Sequence, residues 1–119
     1  GAYTMDTSLS VPQMYNADRA IAASGNAATV TRTYRNNVVT NNSAATLTIT
    51  MSTASATAGD MLLVQVLDFS GVAQTITWVN TENSTVAVPT TSNGSTTLPV
   101  TVGFKWNTLT SKWRCIASA

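Results

Sequence analysis

The chain has 119 residues, 44% of them apolar, which is about one domain's worth of ordinary globular composition. Only 9% are charged, against roughly 25% in a typical soluble domain, and the net charge is +1 with no Lys/Arg cluster along the sequence. These figures exclude the electrostatic footprint of a nucleic-acid or anionic-membrane binder, and no apolar run approaches the roughly 20 residues that span a bilayer.

Residues 1 to 26 read as a segment of their own, suited to packing between chains. In SVPQMYNADRAIAASG, Ser10 offers an N-cap, Pro12 a first-turn residue, Gln13 a capping-box partner and Gly25 a stop. The apolar stripe is thin, so the segment is expected as a short helix or as extended chain. It lacks the basic-then-apolar layout of a signal peptide, and an opening Gly in place of Met suggests a piece of a longer protein.

Residues 27 to 119 read as β throughout. TVTRTYR alternates weakly, NNVVTNNS looks like a turn around a short apolar step, and TLTITM puts Leu47, Ile49 and Met51 on one face. After the turn ATAGD, the run MLLVQVLDF is apolar almost throughout, the pattern of a central strand covered on both faces. Ser70-Gly71 breaks the chain, TITWVN puts Ile76 and Trp78 inward, TVAVP reads as a short strand, and PTTSNGSTT is turn-rich. Val100, Val102, Phe104 and Trp106 then share one parity, and Trp113, Cys115 and Ala117 another, so the chain closes with a hairpin whose loop is about four to six residues. No repeat of fixed period is visible. The fold class expected is all-β: an antiparallel β-sandwich or jelly-roll-like domain over residues 27–119.

The three Trp are assigned to the core, where each buries roughly 150 to 250 Å². A sugar-binding platform would need one of them outward, and Trp78, beside the long polar loop, is the least securely inward. The single cysteine, Cys115, excludes a disulfide within the chain and reads as a buried, inert hydrophobe in a fold that needs no oxidation.

Catalytic chemistry is nearly absent from the residues. There is no His, and the five carboxylates, Asp6, Asp18, Asp60, Asp68 and Glu82, form no local acid/base pair. Asp60 and Asp68 fit turn roles. No phosphate cradle, nucleophile elbow or metal-ligand spacing occurs, so no catalytic residue, metal or cofactor is assigned. Sequon-like triplets beginning at Asn41, Asn83 and Asn93 mark surface loops.

The run GDMLLVQVLDFSGVAQTITWVNTENSTVAVPTTSNGSTTLPVTVGFKWNTLTSKWRCIASA, residues 59–119, resembles the C-terminal tips of tailed-bacteriophage tail fibres and related receptor-binding proteins. The resemblance lies in a GD turn into a buried strand, an SG turn, an ITW strand, a Thr/Asn/Gly-rich loop and a closing strand pair with Trp near the end. It implies a homotrimer at the distal end of a fibre, a virion location after assembly in the host cytoplasm, and contact with a bacterial surface polysaccharide or outer-membrane protein. Low charge and an apolar closing hairpin suit such an assembly.

Under that resemblance the candidate ligand-binding residues are on loops. They are Asn80, Glu82 and Asn83 after the ITW strand, Thr91 and Asn93 in the next loop, and Tyr34 and Arg35, where an aromatic adjoins a cation. Amides and hydroxyls match sugar hydroxyls in donor and acceptor capacity, and Tyr34 offers a face for a sugar ring. Two alternatives have the same β texture: a structural virion part, such as a decoration or fibre-joining protein, and a secreted carbohydrate-binding module.

Overall fold

A computed structural model describes residues 14–119. The proposed helix start at Ser10, Pro12 and Gln13 lies outside the described residues. Nine strands follow: β1 (Tyr15–Ala22), β2 (Ala27–Val30), β3 (Tyr34–Asn41), β4 (Leu47–Met51), β5 (Met61–Asp68), β6 (Ile76–Val79), β7 (Thr81–Glu82), β8 (Val100–Asn107) and β9 (Lys112–Ser118). The described residues are all-β, without a helix. Of the two readings of the N-terminal segment, the extended one holds over residues 15–22. The thin stripe of Ile21 and its neighbours could not bury a helix face, whereas β1 adds to a sheet edge beside β3 and satisfies its backbone there.

The strands form a six-stranded sheet in the order β1-β3-β5-β8-β9-β7 and a three-stranded sheet in the order β2-β4-β6. Up to β6 the chain alternates between the sheets, laying one strand in each before returning beside its previous pass. It therefore winds as a short coil, and β1, β3 and β5 run parallel, as do β2, β4 and β6. Position 20 faces 38 in one ladder and 39 faces 66 in the next, so successive turns differ in length and leave no fixed sequence period. The expected antiparallel pairing is confined to the ladders β5–β8 and β8–β9. Alternation reports which face of a strand is buried, not the direction of its neighbour, and these short connections cross to the other sheet instead of turning back as hairpins.

One core is shared by the inward faces of both sheets. Val30, Ile49, Met51, Val39, Val64, Val102, Phe104, Trp113 and Cys115 are fully buried there. Trp106 meets Trp113 edge-on with ring centroids 5.3 Å apart, and the Trp113 indole N–H donates to the Ser52 carbonyl at 2.9 Å. The closing hairpin forms as read, with residues 108–111 as its loop, and the amide and carbonyl of Ala119 both bond to Thr101.

Three local readings are corrected. NNVVTNNS is not a turn but most of β3, in which Asn37 and Asn41 point inward and donate to the carbonyls of Tyr34 and Ser43. Ser43 satisfies Asn41 at both ends of its amide, whereas Asn37 is satisfied at its Nδ2 alone, its Oδ1 being buried without a partner among the described residues; these local bonds let Asn occupy a strand. TVAVP is not a strand: after the two-residue β7 the chain runs irregularly to Pro89. MLLVQVLDF is covered on one face only, with Leu62, Val64 and Val66 inside and Met61 and Leu63 more than 40% exposed.

Asp60 has more than a turn role. It is buried, and its carboxylate accepts from Arg32 Nε at 2.6 Å, from Arg32 Nη2 at 3.0 Å and from the Thr57 amide at 3.0 Å. Burial pushes its pKa up, but the Arg32 and Thr57 bonds and the Arg32 charge outweigh this and hold it below the usual carboxylate range. Asp68, also buried, accepts from the Ser70 amide and the Ser92 hydroxyl, which again outweigh burial.

Candidate functional site

The irregular chain after β6 folds back over that strand and leaves a groove of about 480 Å³ lined by Thr75, Thr77, Trp78, Glu82, Asn83 and Thr90 among others. Each wall has a local cause. Trp78 is on the inward parity of β6, but β6 is the edge strand of its sheet, so the indole is only half-buried. One side of it packs on Phe104, with centroids 5.3 Å apart, and its N–H donates to the Pro89 carbonyl at 2.8 Å. That bond ties the returning chain over the ring. Asn83 Oδ1 accepts the Val88 amide at 3.0 Å, closing the intervening loop, and Thr75 bridges to Thr91 on the far side.

Glu82 carries the groove's negative charge. Its Oε1 accepts from the Thr110 hydroxyl and from Asn107 Nδ2, the latter at 3.0 Å. The Thr110 bond chiefly, then Asn107 and the nearby Arg114 and Lys112, hold its carboxyl below the ordinary range. A carboxylate held ionised in this way accepts hydrogen bonds from hydroxyls and has no proton to give near neutral pH.

The seven residues singled out from the sequence do not form one site. Glu82 and Asn83 line the groove, and Thr91 flanks it through Thr75. Asn80, with φ of 65°, serves the backbone: its Nδ2 donates to the Met51 carbonyl at 3.1 Å and its own carbonyl accepts the Trp113 amide. Asn93 pins its loop through the Leu98 carbonyl at 3.3 Å. Tyr34 lies in the other part of the six-stranded sheet, its ring tilted by 40° against Tyr15 with centroids 5.2 Å apart and Arg19 5.7 Å from its own centroid. Arg35 lines a separate apolar cleft with Met61 and Leu63. The groove residues not singled out, Thr75, Thr77, Trp78 and Thr90, include the Trp whose place beside the polar loop was the available signal.

No group of three or more Asp, Glu or Cys side chains among the described residues is arranged to hold a metal ion. No protein-family model matches the chain, and no curated protein matches it at a significant level.

Proposed function

We propose that the chain is the receptor-binding tip of a tailed-phage tail fibre, which assembles as a homotrimer and binds a bacterial surface glycan through the groove beside Trp78. The observation that carries this reading is the groove itself. A fixed, half-buried indole stands among threonine hydroxyls, an Asn and an ionised carboxylate, which together offer an apolar surface and hydrogen-bonding partners for a sugar ring. The likeness of residues 59–119 to fibre tips supplies the biological setting. Recognition without catalysis suits the fixed hydrogen bonds of Asp60, Asp68 and Glu82. The two-layer arrangement is read as a β-sandwich built from a short coil. Each groove is shallow and weak alone, and three on one rigid tip gain avidity through effective concentration.

The test is adsorption of the labelled protein to a panel of bacterial cells. Thr77 and Thr90 are exposed groove residues whose side chains make no hydrogen bond among the described residues, so the pair Thr77→Ala/Thr90→Ala should lower adsorption while the melting temperature stays put. Unchanged adsorption of that pair rejects the groove. A wild-type protein that adsorbs to no cell replaces the reading with a structural virion part, and light scattering at a single chain's 12.5 kDa rejects the trimer.

A further inference from the structure

The groove beside Trp78 holds two side chains whose hydrogen bonds within the fold leave one polar atom of each unused. Glu82 takes both of its bonds, from the Thr110 hydroxyl and from Asn107 Nδ2, on Oε1, and its Oε2 makes none among the described residues. Asn107 is itself oriented, because its Oδ1 accepts the Leu109 amide at 3.0 Å and Nδ2 is left to face Glu82. Asn83 is set in the same way. A backbone amide can only donate, so the Val88 N–H fixes Oδ1 on its side of the Asn83 side chain and leaves Nδ2 unbonded among the described residues. Asn83 is exposed and Glu82 partly so, and both line the groove with Trp78. Consecutive residues thus present a fixed acceptor and a fixed donor, beside an indole that the Pro89 carbonyl holds in place. Side chains already held by the fold lose little rotamer freedom when a ligand arrives.

Three features limit what this pair can recognise. Oε2 of an ionised carboxylate only accepts, so the ligand atom must bring a hydrogen, which the oxygens of an ionised sugar carboxylate or phosphate lack. Arg114 is the register partner of Glu82 in the β7–β9 ladder and Lys112 is close by, so the charge of Glu82 is already offset and calls for no ligand cation. The third feature works against an added strand. The returning chain occupies the edge of β6 at its start, where the Ile76 amide donates to the Thr90 carbonyl and the Ser92 amide to the Gln74 carbonyl, both at 2.8 Å. A peptide or a second copy of the chain has no open backbone edge to extend there. What remains is side-chain recognition of uncharged groups that donate and accept at neighbouring positions, and hydroxyls do both.

We propose that the groove selects an uncharged sugar with free hydroxyls on adjacent carbons, one donating to Glu82 Oε2 and its neighbour accepting from Asn83 Nδ2 while the ring lies against Trp78. The inference rests on the reading of this groove as a glycan site and adds to it the chemical class of the sugar. Hydroxyls on adjacent carbons match side chains on consecutive residues, and the charged acceptor makes the bond to Glu82 the stronger of the two. Glu82 and Asn83 are therefore the specificity-determining pair, while Trp78 supplies an apolar contact that many sugars share.

The test is competition for adsorption. Labelled protein, in the assembly it adopts, is bound to an adsorbing bacterial strain in the presence of polysaccharide extracted from that strain and freed of protein with protease, before and after periodate oxidation and borohydride reduction. Periodate cleaves the bond between adjacent carbons that carry free hydroxyls, and borohydride converts the resulting aldehydes to alcohols. The untreated polysaccharide should compete, and at least about tenfold more of the oxidised one should be needed for the same effect. Glu82→Gln keeps a carbonyl oxygen on Asn107 Nδ2 and turns the free acceptor into an uncharged donor, so adsorption should weaken at least about fivefold at unchanged melting temperature. Should that substitution lower the melting temperature, the wild-type arms decide alone. Equal competition before and after oxidation, or a stable Glu82→Gln protein that adsorbs like the wild type, overturns the proposal and leaves the glycan reading standing. Polysaccharide that competes in neither form overturns both, because the receptor is then a protein, and a wild type that adsorbs to no strain removes both as well.

Discussion

Removing the carboxylate from the Arg32–Asp60 pair tests whether the coil depends on one ion pair between distant turns. Arg32 follows β2 and Asp60 precedes β5, so the pair joins successive passes of the chain across 28 positions. Their side chains are 8% and 10% exposed, the carboxylate takes two bonds from the guanidinium and one from the Thr57 amide, and the Asp60 carbonyl also accepts the Trp106 amide at 2.9 Å. Asp60→Ala leaves a buried guanidinium without this carboxylate, a loss of about 3 to 5 kcal/mol. With about 2.1 cal/mol/K of unfolding entropy per residue, a 119-residue chain loses about 4 °C per kcal/mol, so the melting temperature should fall by about 12 to 20 °C. Arg32→Met/Asp60→Leu removes both charges and should recover most of that loss, because desolvation of the pair consumed much of its attraction. The assay is urea unfolding of wild type, single and double variants at several pH values. Since folding lowers the Asp60 pKa, the pair's contribution is complete above the ordinary carboxylate range of about 4 and is lost as pH falls through the depressed folded value. The wild type's advantage over Asp60→Ala should therefore shrink only in acid. A single variant that loses less than about 1 kcal/mol at neutral pH, or a double variant no more stable than the single, refutes the reasoning.

Gly94 has φ of 62°, and a Cβ there would meet the Ala73 amide nitrogen and the Val72 carbonyl carbon at 2.7 Å, whereas Gly25, at 59°, has open space around it. Gly25→Ala should cost about 1 kcal/mol for the left-handed backbone alone, and Gly94→Ala distinctly more; equal thermal melts for the two would contradict the packing of the 93–98 loop on residues 72–73. Cys115 is fully buried and burial pushes its thiol pKa up, so it should resist thiol reagents while folded, and melting should be identical with and without reductant. Rapid labelling under native conditions would show that the β8–β9 hairpin opens.

The period-two alternation of Val100 to Trp106 and of Trp113 and Cys115 determined the closing hairpin, because residues of one parity must share a face and apolar ones must bury it. Leu47, Ile49, Met51 and Ile76 were placed in the core on the same ground. Strand direction was a matter for tertiary structure: the same alternation serves a hairpin or a coil, and only the path between sheets makes β1, β3 and β5 parallel. The apolar run 61–68 set a strand but not how many of its faces another layer would cover. Of the groove, Glu82 and Asn83 were legible as polar loop residues, while the half-exposure of Trp78 depends on β6 being an edge strand, which no local pattern encodes. Charge was the least legible property. No Lys/Arg cluster exists along the chain, yet the ladders set Lys105 opposite Arg114, while Arg32 finds Asp60. Coulomb forces act through space, and residues far apart in sequence acquire common partners only when the sheet has set its register.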